Sequence, residues 1–194
     1  MATNDRERWD EKHAVHEEGE SSPSAFLVQI FQTDSWKIQA GRALDIATGK
    51  GRNALFLAQR GFSVEAMDIS EVAVAEARKR ADERGLSIGF RQADLEKVEL
   101  PETAYELILS FNYLDRLLIP KIKNALKLGG HIIFETYLID QRVLGHPRNP
   151  AYLLGHNELL DLFRDFRILF YREGKFSEGG RESYRAGLFG RKVR

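Results

Sequence analysis

Hydrophobic and polar positions along this chain follow two periodicities. Short apolar runs typical of strands alternate with stretches that repeat apolar residues every three or four positions, as helices do. The predicted strands are residues 43–47, 63–67, 87–92, 107–111, 131–137, 167–172 and 183–190. The predicted helices begin at Pro23, with Ser22 as N-cap, and at Ala54, and cover 71–84, 115–126 and 157–164. This alternation indicates a doubly wound α/β fold, with a mostly parallel sheet and helices on both faces.

Two strands depart from the parallel pattern. No helical periodicity separates residues 167–172 from 183–190, so we expect these strands to form an antiparallel hairpin at the edge of the sheet.

Residues 107–111 are a continuous apolar run, which is typical of a central strand buried on both faces.

Two segments lie outside the strands and helices. Residues 1–22 are rich in charge and carry a single indole, Trp9. Residues 140–155 contain two prolines and two glycines and are too long for an ordinary connection. We interpret them as a flexible lid and a substrate loop of a single domain that spans residues 1–194, enclosing a small-molecule site.

Composition excludes several kinds of protein. The 29 basic and 29 acidic residues balance, so no net charge favours nucleic acid or a membrane surface. Cysteine is absent, which excludes disulfides and thiolate metal sites, and the histidines lack metal-ligand spacing. Without a signal-like N-terminus or an apolar stretch of ~18 residues, we expect a cytoplasmic protein with no metal, no membrane partner and no nucleic-acid partner.

Acidic residues follow three successive predicted strands. Asp45 ends the first, Asp68 the second and Asp94 the third, and a turn containing Gly49 and Gly51 follows Asp45. Because the carboxyl ends of parallel strands meet at one edge of the sheet, this order is what a nucleoside-containing ligand requires.

The charge of Asp45 distinguishes two classes of ligand. Gly49 to Ala54 match the dinucleotide pattern G-x-G-x-x-A, and Asp68 lies where a ribose-binding acid is expected, so a nicotinamide-dependent oxidoreductase is one interpretation. A carboxylate in the turn would repel a pyrophosphate, however. It would instead pair with the ammonium group of an amino acid, and S-adenosylmethionine carries such a group.

The remaining acids fit the rest of that cofactor. Asp68 can accept hydrogen bonds from both ribose hydroxyls, each contributing about 1.5–3 kcal/mol. Asp94 can accept the exocyclic amine of adenine, and the backbone N–H of Leu95 can reach a ring nitrogen. We expect Trp9 to pack over the bound cofactor from the lid.

Over nearly its full length the chain resembles the class I S-adenosylmethionine-dependent methyltransferases. The matching stretches are residues 44–54 (LDIATGKGRNA), 67–70 (MDIS), 92–95 (QADL) and 126–130 (LKLGG). Residues 9–13 (WDEKH), 51–54 with 57–58, and 157–163 (NELLDLF) are similar to the small tellurite-resistance branch of that class. The resemblance implies a seven-stranded sheet of order 3-2-1-4-5-7-6 with strand seven antiparallel.

The resemblance also implies further cofactor contacts. One departure from the class is Ala47, which occupies the position of the first glycine in many members. The cofactor-contact residues taken from the resemblance are Ala47, Arg52, Asn53, Ile69, Phe111 and Asn112, beside Asp45, Gly49, Gly51, Asp68, Asp94 and Leu95.

A sulfonium is already an activated methyl donor, so catalysis needs mainly the alignment of acceptor and methyl. A soft nucleophile needs no strong base, whereas a hydroxyl or an amine would need one, and the candidates are His13, Tyr113 and Tyr137. Residues 110–113 lack the prolines of the clamp of base-methylating enzymes, which argues against a nucleobase amine.

The sequence therefore predicts a monomeric or homodimeric methyltransferase. It would use S-adenosylmethionine, release S-adenosylhomocysteine and methylate a small molecule such as a thiol or an oxyanion of tellurium or selenium. A nicotinamide-dependent oxidoreductase and a non-catalytic S-adenosylmethionine-binding protein remain the alternatives.

Overall fold

The computed structural model describes residues 2–15, 22–33, 35–178 and 180–194. Within these residues the strands form a seven-stranded sheet of order β3-β2-β1-β4-β5-β7-β6, as predicted. The strands are β1 (Arg42–Ile46), β2 (Ser63–Asp68), β3 (Ile88–Gln92), β4 (Tyr105–Phe111), β5 (Leu126–Tyr137), β6 (Phe166–Glu178) and β7 (Arg181–Lys192). The helices are α1 (Ala2–Val15), α2 (Ala25–Gln32), α3 (Arg52–Ala58), α4 (Glu71–Asp82), α5 (Ile119–Ala125) and α6 (Glu158–Leu162).

Strand directions agree with the prediction. β1 pairs in parallel with β2, β2 with β3, and β4 with β5, whereas β7 is antiparallel to both β5 and β6. The chain divides into two compact units, Met1–Glu99 and Leu100–Arg194, which are described in turn. The single domain over residues 1–194 stays a prediction.

In the first unit, α2 begins later than predicted. The helix starts at Ala25 with Ser24 as its N-cap, not at Pro23 with Ser22 as its N-cap. Ser24 donates its backbone N–H to Asn53 Oδ1 at 2.9 Å, a long-range contact that fixes where the helix begins. The predicted apolar face is present, because Phe26, Leu27 and Ile30 are fully buried.

The sequence pattern did not indicate α1, because residues 2–15 have no apolar face. A contact with α4 holds the helix instead. Asp10 Oδ1 accepts a hydrogen bond from the Ser70 hydroxyl at 2.6 Å, and Ser70 is itself the N-cap of α4. The N-terminal segment therefore docks at the start of α4.

In the second unit, several elements differ in length from the prediction. α5 begins at Ile119 instead of residue 115, because Asp115 Oδ1 accepts the N–H of Leu117 at 2.8 Å and Pro120 occupies the first turn. The hairpin strands β6 and β7 are longer than predicted and continue through polar residues to the turn at Gly180, whose φ is +77°.

No helix in the described part of the chain is both long and apolar enough to cross a membrane.

Candidate functional site

The turn after β1 places Asp45 beside the glycines of the motif. Three of its residues have a positive φ: Ala47 (54°), Gly49 (55°) and Gly51 (80°). Thr48 folds back over the end of the strand and donates its hydroxyl to Asp45 Oδ2 at 2.6 Å. The Asp45 carboxylate therefore lies at the turn, as the sequence argument for a cationic ligand requires.

Asp45 is a buried carboxylate, with only 1% of its surface exposed. Burial raises the pKa of its carboxyl to about 7, although the Thr48 hydrogen bond and the charge of Arg52 oppose that rise. Among the described ion pairs, none includes Asp45. A cation bound beside Asp45 would relieve this penalty, so the site fits the ammonium of S-adenosylmethionine.

Asp68, at the end of β2, holds the glycine turn in place and still has room to bind a ribose. Its Oδ2 accepts the N–H of Gly49 at 2.7 Å, and its Oδ1 accepts the N–H of Ser70 at 3.0 Å. These bonds hold the glycine turn against the end of β2. Each carboxylate oxygen can accept more than one hydrogen bond, so Asp68 keeps capacity for two ribose hydroxyls.

Two predicted cofactor residues have structural roles. A Cβ on Gly51 would lie 3.0 Å from Ala77 Cβ and 3.4 Å from the Phe90 ring, so glycine permits close packing of the turn on α4 and β3. Asn53 is buried and uses its side-chain oxygen to bind the N–H of Ser24. Spacing alone did not distinguish these packing roles from ligand contacts.

Asp94 lies just after β3 and already has partners. Its Oδ1 accepts the N–H of Glu96 at 3.1 Å, and its Oδ2 lies 2.9 Å from Lys97 Nζ. The Lys97 ammonium lowers the pKa of Asp94, so this carboxyl is ionised at neutral pH. An adenine amine would have to share it with Lys97.

Two other predicted contacts of the first unit, Ile69 and Leu95, directly follow Asp68 and Asp94 in sequence, whereas Trp9 lies in α1. Leu95 buries its side chain, and the Ile69 carbonyl accepts Gln92 Nε2 at 3.1 Å. Trp9 is half-buried in α1, with the Arg8 guanidinium carbon 5.9 Å from its ring. His13 also lies in α1, but its side chain is outside the described residues.

The second unit places the other candidates at the ends of β4 and β5. Phe111 is buried, and Asn112 follows it in a left-handed conformation (φ 57°), donating its N–H to the Glu135 carbonyl at 2.9 Å. Tyr113 is half-buried after β4. Tyr137 is half-buried at the end of β5 and pairs in register with Arg185 of β7.

A buried cluster of charges, which sequence reasoning missed, lies beside these residues. Glu135, 1% exposed, accepts Arg172 Nη2 at 2.6 Å, and its other oxygen lies 3.7 Å from Arg185 Nη1. Glu135 and Arg172 face the same residue of β7, Gly187, which has no side chain to separate them. The one signal in the sequence was an acid inside an otherwise apolar strand.

Side-chain hydrogen bonds hold the predicted substrate loop, residues 140–155, in place. Its two short 3-10 helices cover Ile139–Val143 and Pro150–Tyr152. Arg116 donates to both oxygens of Glu158 (2.6 and 2.9 Å) and to the carbonyls of Ala151 and Leu153 (both 2.9 Å). The loop is therefore held by exposed and half-buried polar contacts.

Comparison with known proteins identifies a family match and several similar proteins. Residues 43–130 match the family described as "Methyltransferase domain". The chain is 27% identical over 139 residues to the probable S-adenosyl-L-methionine-dependent methyltransferase TehB of Haemophilus influenzae, covering 68% of this chain and 48% of that protein. It is 30% identical over 135 residues to a ubiquinone biosynthesis O-methyltransferase of Alkalilimnicola ehrlichii, covering 64% of this chain and 51% of that protein.

The crystal structure of Haemophilus influenzae TehB superposes with a TM-score of 0.75 at 22% identity, covering 88% of this chain and 62% of that one. This likeness shows a shared fold. The chain spans about half the length of these two curated relatives.

Residues 43–130 therefore match a methyltransferase domain, and the chain is similar to S-adenosylmethionine-dependent methyltransferases. Within that class it is similar to the tellurite-resistance branch, as the sequence resemblance predicted.

Proposed function

We propose that this chain binds S-adenosylmethionine and transfers its methyl group to a small molecule. The observation that carries the proposal is Asp45, a buried carboxylate at the glycine turn that is paired with no cation of the described residues. The family match over residues 43–130 supports the same cofactor.

Within this proposal the residues of the first unit bind and orient. Asp45 pairs with the ammonium of the cofactor, Asp68 accepts its ribose hydroxyls, and Asp94 accepts its adenine amine. Thr48 keeps Asp45 aimed at the turn through its 2.6 Å hydrogen bond. When bound, the cofactor supplies a methyl carbon made electrophilic by the adjacent sulfonium.

We propose a soft acceptor, namely a thiol or an oxyanion of tellurium or selenium. With a thiol, the proton leaves to solvent and the thiolate forms a bond to the methyl carbon while the bond from that carbon to the sulfonium breaks. The products are a methyl thioether and neutral S-adenosylhomocysteine. Such an acceptor needs little base catalysis, and His13, Tyr113 and Tyr137 remain the candidates for a harder nucleophile.

The similarity to TehB supports S-adenosylmethionine as the methyl donor, and the ubiquinone biosynthesis O-methyltransferase, which is about as similar, supports a small-molecule acceptor and makes an oxygen nucleophile the alternative to a soft one. A cytoplasmic location, a monomeric or homodimeric state and the absence of a nucleic-acid partner stay predictions from the sequence.

Mass spectrometry of the purified protein tests the proposal. With S-adenosylmethionine and a panel of thiols, selenite and tellurite, we expect S-adenosylhomocysteine and a methylated product with at least one acceptor. Tight binding of the cofactor with no transfer to any of them would contradict the choice of acceptor and favour a binding protein.

Thermal unfolding with each cofactor separates the oxidoreductase alternative. A ligand at 100 times its Kd stabilises by about 2.7 kcal/mol. We expect S-adenosylmethionine to raise Tm and NADH to leave it unchanged, whereas the reverse result would overturn the proposal.

A further inference from the structure

We propose that Arg185 binds an anionic group on the methyl acceptor, so that the preferred substrates carry a carboxylate or oxyanion besides the nucleophilic atom. This inference rests on the proposed function and names its substrate class. It starts from charges of the second unit that cofactor binding does not use.

Arg185 is held in place from three sides. Its Nη1 donates to Asn112 Oδ1 at 2.6 Å, its Nε donates to Ser183 Oγ at 2.9 Å, and its guanidinium carbon lies 4.2 Å from the centre of the Tyr137 ring. The side chain is 11% exposed. A guanidinium with so little freedom is preorganised for a ligand, and its Nη2 donates to no described residue.

The cluster around Arg185 has an excess of positive charge. Arg172 and Arg185 carry two positive charges, and Glu135 carries one negative charge, which leaves a net charge of +1. Glu135 accepts a hydrogen bond from Arg172 Nη2 at 2.6 Å, whereas Arg185 Nη1 lies 3.7 Å from the other carboxylate oxygen of Glu135. Of these two arginines, Arg185 therefore makes the longer contact with Glu135.

Other acids of the hairpin are already engaged. Glu182 pairs with Lys175 at 2.8 Å, and Glu173 accepts hydrogen bonds from the Tyr171 hydroxyl and from the N–H of Asn157. In these contacts neither of the two acids pairs with Arg185.

The location of Arg185 is the one expected of a substrate contact. Asn112 follows β4 and Tyr137 ends β5, so Arg185 bridges the carboxyl ends of two parallel strands, where open α/β sheets bind their ligands. An acceptor whose anionic group pairs with Arg185 would have its nucleophile close to the same strand ends.

A matched pair of thiols tests this inference. The carboxylate of 4-mercaptobenzoate is replaced by a neutral amide of the same shape in 4-mercaptobenzamide. We expect wild-type kcat/KM to favour the carboxylate at least tenfold. Arg185→Gln should remove this preference by raising KM for the carboxylate, and Arg185→Lys should restore part of it; the ratio of kcat/KM for the two thiols reports the effect separately from any general loss of activity.

Arg181→Gln is the matched control, because Arg181 is an exposed arginine of the same strand, and it should leave the preference unchanged. Equal use of both thiols by the wild type, or an unchanged preference in a folded Arg185→Gln protein, would overturn the inference.

Calorimetry separates this result from failure of the proposed function. If neither thiol is methylated, the proposed acceptor class fails, while binding of 4-(methylsulfanyl)benzoate still tests Arg185. We expect a Kd at least tenfold weaker for Arg185→Gln than for wild type and Arg181→Gln, and equal values would refute the role of Arg185.

Discussion

Two buried carboxylates, Asp45 in the first unit and Glu135 in the second, have opposite surroundings. Each is 1% exposed. Glu135 is paired with the guanidinium of Arg172, and a second arginine, Arg185, lies 3.7 Å away. Asp45 is hydrogen-bonded to the hydroxyl of Thr48, and none of the described ion pairs includes it. Among the described residues the fold pairs Glu135 with a guanidinium, whereas Asp45 forms no ion pair and the charge of Arg52 offsets only part of the cost of its burial.

From this difference we propose that Glu135 stabilises the fold and that Asp45 serves binding. A buried ion pair is strongly destabilising to break, because the remaining charge has no partner. A buried acid without a cation destabilises the protein whenever it is ionised, and it is retained where a ligand requires it. The following experiments sharpen this comparison, from the largest expected effect to the smallest.

Glu135→Gln should destabilise the protein by about 3–5 kcal/mol, because it leaves two guanidiniums without their carboxylate. Denaturant unfolding measures the loss. Glu65→Gln is the control, because Glu65 forms an exposed ion pair with Arg42 at 2.6 Å and should lose under about 1 kcal/mol. Similar losses in both variants would contradict the structural role of Glu135.

The carboxylate of Asp45 should affect stability with the opposite sign to that of Glu135, and its effect should depend on pH. Its pKa rises from 3.8 in the unfolded chain to about 7 in the fold, so between these values only the folded state keeps the proton. Wild-type stability should therefore fall from pH 4 to pH 7, relative to Asp45→Asn, by up to about 4 kcal/mol.

His131 contributes the opposite pH dependence to stability, because burial lowers its pKa to about 4. His131 is present in both wild type and Asp45→Asn, so its contribution cancels in the difference between them. Unfolding curves from pH 4 to 8 provide the test. A constant difference between the two proteins across this range would show that Asp45 does not titrate there.

Gly51→Ala tests how much of the glycine turn belongs to packing. The φ of +80° and a Cβ only 3.0 Å from Ala77 Cβ predict a loss of about 2–4 kcal/mol. Gly85→Ala isolates the backbone contribution, since its φ is +62° with no atom within 4 Å, and should lose about 1–2 kcal/mol. Equal losses by thermal unfolding would mean that the contact with α4 is unimportant.

Ala47→Gly should have the smallest effect, and a favourable one. Ala47 has a φ of 54°, which disfavours alanine by about 1–2 kcal/mol, and glycine entropy offsets part of that gain. We expect about 0.5–1 kcal/mol of stabilisation, or roughly 2 °C in Tm. An unchanged or lower Tm would show that the turn is not strained at this position.

The first unit could be predicted well because its signals are local. Apolar runs, the glycines and the acids that end the strands lie within a few residues of each other, so β1, β2 and the turn between β1 and α3 follow from spacing. The packing role of Gly51 could not be predicted from spacing, because its contact with Ala77 joins residues 26 positions apart.

The charge cluster of the second unit depends on long-range register. Glu135 and Arg172 are 37 residues apart and meet only because both lie opposite Gly187 in the paired strands. The sequence predicted β6 and β7 as short strands, since their polar residues do not alternate as a half-buried strand would. The hairpin continues because its backbone pairs along its whole length, from Phe166 opposite Lys192 to Glu178 opposite Arg181.

Asp45→Asn, studied at pH 8 by unfolding and by calorimetry with S-adenosylhomocysteine, tests the central claim most directly. We expect the ligand-free variant to be more stable than wild type, because a desolvated charge is gone, and to bind S-adenosylhomocysteine about 100-fold more weakly, because the ammonium loses its partner. A variant that binds within threefold of wild type would contradict the assignment of Asp45 to the cofactor.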